Sequence, residues 1–207
     1  MRFTKVILAG PPELTGFYRE QLELPFEADV IGIGETRLRF TASDGAPFYH
    51  FAFLVPGDRF DAALAWAEQC TELLTGEDGT RIFAGDAWKS SAVYFHDPAG
   101  NILELIAHHG LEENGRGGDF AAGELVGLSE LGLVGDRRAL LRRLESLGLG
   151  MFSGTVDEPD RIAFVGEPGR TFILAPPGRG WAPTGRPAEP HPVEALIETP
   201  EPARFEL

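Results

Sequence analysis

The sequence predicts an α+β fold built from a repeated unit, in which a strand leads into a helix and the helix into a β-hairpin. Three observations predict it. HFAFLVPGDRFDAAL (50–64) and ELGLVGDRRALLRRL (130–144) share the order apolar strand, Val, Gly-Asp-Arg, helix, and KVILAGPPELTGFY (5–18) repeats the strand-then-helix order. Each of the three is followed by a hairpin signal. Between two apolar strands stands DPAGN (97–101), a turn with its own chemistry: Asp97 bonds forward to the backbone, Pro98 presets its φ angle, and Gly100 tolerates positive φ. A repeat of this size marks one supersecondary unit used several times, whose core is completed when units pair.

Element by element, residues 3–9 read as a strand, and Pro11-Pro12 lead into a short helix with Leu14, Phe17, Gln21 and Leu22 near helical spacing. Residues 28–42 read as two strands joined at Gly34-Glu35. Residues 48–55 form a strand apolar on both faces, ended by Pro56-Gly57. Asp58 suits an N-cap, with Asp61 three residues on, and Phe60, Ala63, Leu64, Ala67, Cys70 and Leu74 recur at helical spacing. After a loop at 76–80, RIFAGDAW holds a short strand, and SAVYFH and NILELIAHH are the strands joined by DPAGN. Residues 110–123, Gly-rich and charged, read as a linker. A strand over 128–135 follows, then a helix capped by Asp136 and ended by Gly148. Its stripe is Leu140, Leu141, Leu144 and Leu147, with the arginines on a solvated face. RIAFV and RTFILA are strands joined at GEPG, and the Pro-rich segment 176–192 leads to a last strand at 193–198.

Composition narrows the function. With 43% hydrophobic residues, 207 residues can bury a proper core as one domain or two small ones. A formal net charge of −14 opposes a nucleic-acid partner and an anionic membrane face. Cys70 is alone, so no intramolecular disulfide forms and a reducing compartment fits. The opening apolar run is too short for a signal peptide, and no stretch approaches the roughly 20 apolar residues of a membrane span. The expectation is a cytoplasmic protein acting on a small molecule. No Gly-rich phosphate loop, nucleophile elbow or paired-cysteine metal motif appears.

Two residues break the pattern. On strand alternation Phe48, His50, Ala52 and Leu54 share one face, and Ile102, Glu104, Ile106 and His108 share another. His50 and Glu104 are the polar groups in the middle of those apolar faces. A carboxylate buried alone costs several kcal/mol, so Glu104 must be paired or ligated. Tyr94 shares the face of Glu104. His96, His108 and His109, at strand ends, are expected at the surface, and His191, between prolines, in a loop.

A repeated β-α-β-β-β unit closed by DPAGNILEL resembles the vicinal oxygen chelate superfamily, which includes glyoxalase I, bleomycin resistance proteins and extradiol ring-cleaving dioxygenases. Asp97, Pro98, Gly100, Asn101 and Glu104 carry the resemblance, which covers roughly residues 1–175 and is strongest over 48–108. It implies curled mixed β-sheets forming cup-like half-barrels with helices packed outside. It also implies that His50 and Glu104 are metal ligands inside a cup, with Glu104 catalytic and Fe, Mn, Zn or Ni as the divalent metal. The activity implied is that of a metal-dependent lyase or dioxygenase on a small oxygen-rich molecule. The alternative is a metal-free binding protein of the bleomycin-resistance type.

Which units pair decides between them. Laid over 48–108, the first unit places Lys5 opposite His50 and Arg39 opposite Glu104; the third places Glu130 and Ile173 there. Pairing units one and two gives a cup lined by Lys5, Arg39 and Tyr94, holding an anion and no metal. Pairing units two and three makes Glu130 a third ligand. Chain order favours the first pairing. The expected organisation is therefore a main domain over 1–109, a linker over 110–123, and a third, incomplete unit with a C-terminal strand over 124–207, completed on the first cup or in a homodimer.

Overall fold

Strand, helix and hairpin recur three times along the chain. Unit one comprises β1 (Arg2–Ala9), a helical turn α1 (Leu14–Gly16) continued by a π-helical turn (Phe17–Gln21), β2 (Phe26–Glu27), β3 (Val30–Ile33) and β4 (Thr36–Thr41). Unit two is β5 (His50–Val55), α2 (Phe60–Cys70), β6 (Phe83–Gly85), β7 (Ser90–His96) and β8 (Ile102–His108). Unit three is β9 (Gly127–Val134), α3 (Arg137–Glu145), β10 (Met151–Gly154), β11 (Ala163–Glu167) and β12 (Arg170–Ala175). A small hairpin, β13 (Gly180–Trp181) and β14 (Arg186–Pro187), precedes β15 (Val193–Glu198) and β16 (Ala203–Glu206). The computed structural model describes residues 1–199 and 203–206; residues 200–202 and 207, at the end of the expected third segment, lie outside them.

Two mixed sheets result. One has eight strands in the order β10-β11-β12-β9-β5-β8-β7-β6, the other six in the order β16-β15-β1-β4-β3-β2. β5 pairs with β8 in parallel and with β9 antiparallel. Unit two is therefore mated to unit three, not to unit one as chain order suggested. The reason lies at the strand edges: β4 and β15 occupy the two sides of β1, so β1 has no free edge for β5. Unit three is also complete, since β10 supplies its missing strand. MFSG, with Met151 and Phe152 exposed, gave no alternation to read.

One face of each sheet enters the common core. Phe3, Val6 and Leu38 of the six-stranded sheet join Phe51, Phe53, Leu103, Leu105 and Phe172 of the eight-stranded one, with the rings of Phe3 and Phe172 4.9 Å apart. α2 buries Phe60, Ala63, Trp66 and Ala67 in the same core. The opposite face of the eight-stranded sheet forms the cup. Among the described residues no helix is long and apolar enough to cross a membrane.

Local chemistry explains the ends of these elements. Asp136 caps α3, its carboxylate accepting from the N–H groups of Arg138 and Ala139 at 3.0 and 3.1 Å. Asp58 does not cap α2. Its carboxylate instead accepts from the N–H groups of Asn114 and Gly115. Buried Arg59 grips the same 110–123 segment, donating to the carbonyls of Arg116, Gly118 and Asp119 and to the Glu124 carboxylate. The expected linker is thus docked.

The DPAGN turn closes the β7–β8 hairpin, with His96 opposite Ile102 and Gly100 at φ 78°. Asp97 Oδ1 accepts from the N–H groups of Ala99 and Asn101, both at 3.0 Å. Its Oδ2 accepts from the Asn101 side chain at 2.7 Å and from the Tyr18 hydroxyl at 2.6 Å. Asn101 Oδ1 in turn accepts from the Tyr49 N–H at 2.7 Å. The motif therefore ties β5, the hairpin and unit one together. Asp97→Ala leaves buried donors without an acceptor, so a loss of roughly 2–4 kcal/mol is expected, read as a lower urea midpoint at unchanged m-value.

Candidate metal centre

Register brings the site together. Ala52 of β5 lies opposite Glu104 of β8 on one side and opposite Glu130 of β9 on the other, so the smallest side chain of that strand separates two carboxyls. A bulge adjoins it: Ala52 faces Glu130 but Phe53 faces Leu128, leaving Ser129 as the extra residue. The bulge lets Leu128 stay in the core while Glu130, two residues on, joins the cup.

His50, Glu104 and Glu130 are 5%, 3% and 5% exposed, and one ligand atom of each lies within 4.8 Å of the others. His50 Nε2 is 3.5 Å from Glu104 Oε2. His50 Nδ1 lies 3.0 Å from the Ile102 carbonyl oxygen. A carbonyl only accepts, so Nδ1 carries the proton and Nε2 presents its lone pair to the carboxylates.

The electrostatics point the same way. Burial holds the His50 imidazole down to about 4, against the Ile102 hydrogen bond and with help from the Arg179 charge. Burial and the neighbouring Glu130 push the Glu104 carboxyl well above its usual range, while a hydrogen bond from Tyr94 opposes them. Burial raises Glu130 to about 7. Among the described residues neither carboxyl has an Arg or Lys partner within ion-pair distance. A neutral imidazole and two carboxyls lacking a countercharge are a donor set that fits a divalent cation, which would relieve their mutual repulsion.

A cavity of about 360 Å³ opens onto the site, its walls including Glu104, Glu130, Tyr94, Trp88, Phe83 and Phe164. His50 is covered by Trp181 of β13, the two rings 4.9 Å apart. Gly132 makes room for that indole, because a Cβ there would lie 3.0 Å from its ring. Arg186 of β14 stacks 3.4 Å above Phe48 and donates to the Gly100 carbonyl, holding the hairpin down. The sequence presented 176–192 only as a connector. A tryptophan isolated among prolines and glycines was the one signal of this cover.

Of the residues singled out from sequence, His50, Glu104, Glu130 and Tyr94 come together. Lys5 and Arg39 do not. Both are exposed and line a different cavity, on the six-stranded sheet, because β1 and β4 belong to that sheet. Ile173 lies on the cup side, 2% exposed, where a fourth ligand would stand. His109 is exposed as expected, His96 is half-buried, and His191 sits half-buried in its loop against Phe48 and Tyr49. His108 is 3% exposed rather than at the surface. β8 runs beneath the cup at that point, and Trp88 stacks on the imidazole.

No protein-family model matches the chain, and no curated protein matches it in sequence. Solved structures do. A provisionally assigned dioxygenase from Bacillus subtilis aligns with a TM-score of 0.57 at 18% identity, over 84% of this chain and 63% of that one. Glyoxalase I from Zea mays aligns with a TM-score of 0.53 at 18% identity, over 84% of this chain and 66% of that one. The chain therefore spans less than two thirds of the length of either protein. At this identity the likeness establishes the fold alone, the curled mixed β-sheets shared with these two structures.

Proposed function

We propose that this protein is a metal-dependent enzyme of the vicinal oxygen chelate type, a lyase or dioxygenase acting on a small oxygen-rich molecule, with His50, Glu104 and Glu130 holding a divalent metal. The observation that carries the reading is the convergence of three buried ligand atoms within 4.8 Å of one another. One nitrogen and two carboxylate donors favour Mn or Fe(II) over softer ions, with Ni and Zn next. Once bound, such a metal supplies Lewis acidity to substrate oxygens or activates dioxygen.

The chain's own groups have separate tasks. Glu130 faces the cavity, and burial raises its carboxyl to about 7 in the metal-free site, so a bound metal takes the place of that proton near neutral pH. Tyr94 stands opposite Glu104 in the β7–β8 ladder, where its hydroxyl is placed to orient the carboxyl. Trp181 keeps water from the His50 side. The sequestering alternative depended on Lys5 and Arg39 lining this cup, and they line another cavity.

The test is metal uptake by chelator-stripped protein titrated with Mn, Fe(II), Ni and Zn. One tightly held equivalent is expected. Wild-type protein that binds none of the four would end the metal reading.

A further inference from the structure

We propose that the outward face of the six-stranded sheet carries a second binding site, metal-free and specific for a small organic anion with a phosphate or carboxylate head and an apolar body. A cavity of about 760 Å³ lies there, lined by Lys5, Arg37 and Arg39 and by the apolar Pro25, Phe26 and Val30. Glu27 is its one carboxylate-bearing lining residue.

The register shows how the site arises. In unit two His50 faces Ile102 and Ala52 faces Glu104. In unit one Lys5 faces Arg37 and Ile7 faces Arg39. Lys5 and Arg39 therefore occupy in β1 and β4 the positions that His50 and Glu104 occupy in β5 and β8. The same supersecondary unit presents metal-ligand chemistry on one sheet and cationic chemistry on the other.

The charge of the cluster is uncompensated. The chain has 18 Lys and Arg against 32 Asp and Glu, so cations have an excess of acidic partners. Yet among the described residues Lys5, Arg37 and Arg39 form no ion pair, although other cations of this sheet, such as Arg2 and Arg204, do. Lys5 and Arg37 stand in direct register, an arrangement of like charges that is destabilising by itself. An anion between them reverses the sign of that interaction. Arg37 is aimed by hydrogen bonds from one guanidinium nitrogen to the carbonyls of Gly34 and Thr36, leaving its other donors free for an oxyanion. Gly34, which lines the cavity, is held against the Leu125 and Val126 carbonyls, where a Cβ would clash. The recess fits a small molecule, and the net charge of −14 opposes an anionic bilayer.

The experiment titrates phenyl phosphate, benzoate and inorganic phosphate into chelator-stripped protein by calorimetry, so the other cup contributes no metal. Phenyl phosphate or benzoate is expected to saturate a single site, the tighter of the two identifying the head group, with inorganic phosphate weaker for want of apolar contact. Lys5→Ala/Arg39→Ala is expected to weaken that binding by at least about tenfold, Arg39→Lys to weaken it less, and Glu104→Gln to leave it unchanged. Lys5 and Arg39 are exposed, so an unaltered circular dichroism spectrum should accompany the loss. Absence of saturation by all three probes at ~10 mM, full retention in the double variant, or equal loss in Glu104→Gln would each overturn the proposal. Because the protein is metal-free throughout, failure here is distinct from failure of the metal reading.

Discussion

Glu104→Gln is expected to lower the affinity for divalent metal by more than roughly 100-fold and to abolish turnover that depends on it, since even groups that only orient a ligand are worth roughly 10–100-fold. The substitution keeps shape and removes charge. A carboxamide oxygen beside His50 Nε2 still fits the space, but the site falls from two carboxyls to one. Glu130→Gln should have a comparable effect. Tyr94→Phe removes only the hydroxyl standing opposite Glu104, so a milder loss, roughly tenfold, is expected. This gradient separates ligands from a positioning residue. Elemental content after gel filtration and calorimetric titration would read it. Undiminished metal in Glu104→Gln would show that Glu104 is no ligand.

Chelator-stripped protein is expected to lose stability as pH rises above about 6.5, and saturating metal should abolish that loss. Glu130 is raised from 4.5 to about 7 in the fold. Between those values the folded state binds more protons than the unfolded state, so stability falls with rising pH. That displacement corresponds to on the order of 3 kcal/mol for one carboxyl, most of it spent below 6.5, and Glu104, held well above its usual range by burial and by Glu130, carries the fall to higher pH. His50 acts in the opposite sense. Its imidazole is lowered from 6.5 to about 4, so between those values the unfolded state binds more protons and stability rises with pH. Below 6.5 the contributions oppose each other and the slope is shallow. Above 6.5 the histidine contribution is complete; Glu130 completes its fall near 7, and Glu104 sets the slope beyond it. Metal takes the place of the protons, so the rise in melting temperature on adding Mn should be larger at pH 8 than at pH 6. Glu130→Gln should flatten the decline. A stripped wild type that gains stability between pH 6.5 and 8 would mean the carboxyls ionise without penalty in a hydrated site.

The sequence by itself determined whatever depends on neighbours along the chain. Asp97, Pro98 and Gly100 specify a turn through local hydrogen bonds and allowed φ, and the hairpin formed there. Leucine spacing and Asp136 specify α3, and period-two alternation set His50 and Glu104 each in the middle of an apolar strand face. Tertiary structure alone decided which strands share an edge, because backbone N–H and C=O groups carry no label for their partner. β5 could have met β1 or β9. Chain order argued for β1, but β15, from the far end of the chain, occupies that edge. This one choice brings Glu130 to the acidic cup and sends Lys5 and Arg39 to the other sheet. The bulge at Ser129, the cover of Trp181 on His50 and the burial of His108 are likewise tertiary outcomes, set by packing between segments that the sequence leaves 20 to 131 residues apart.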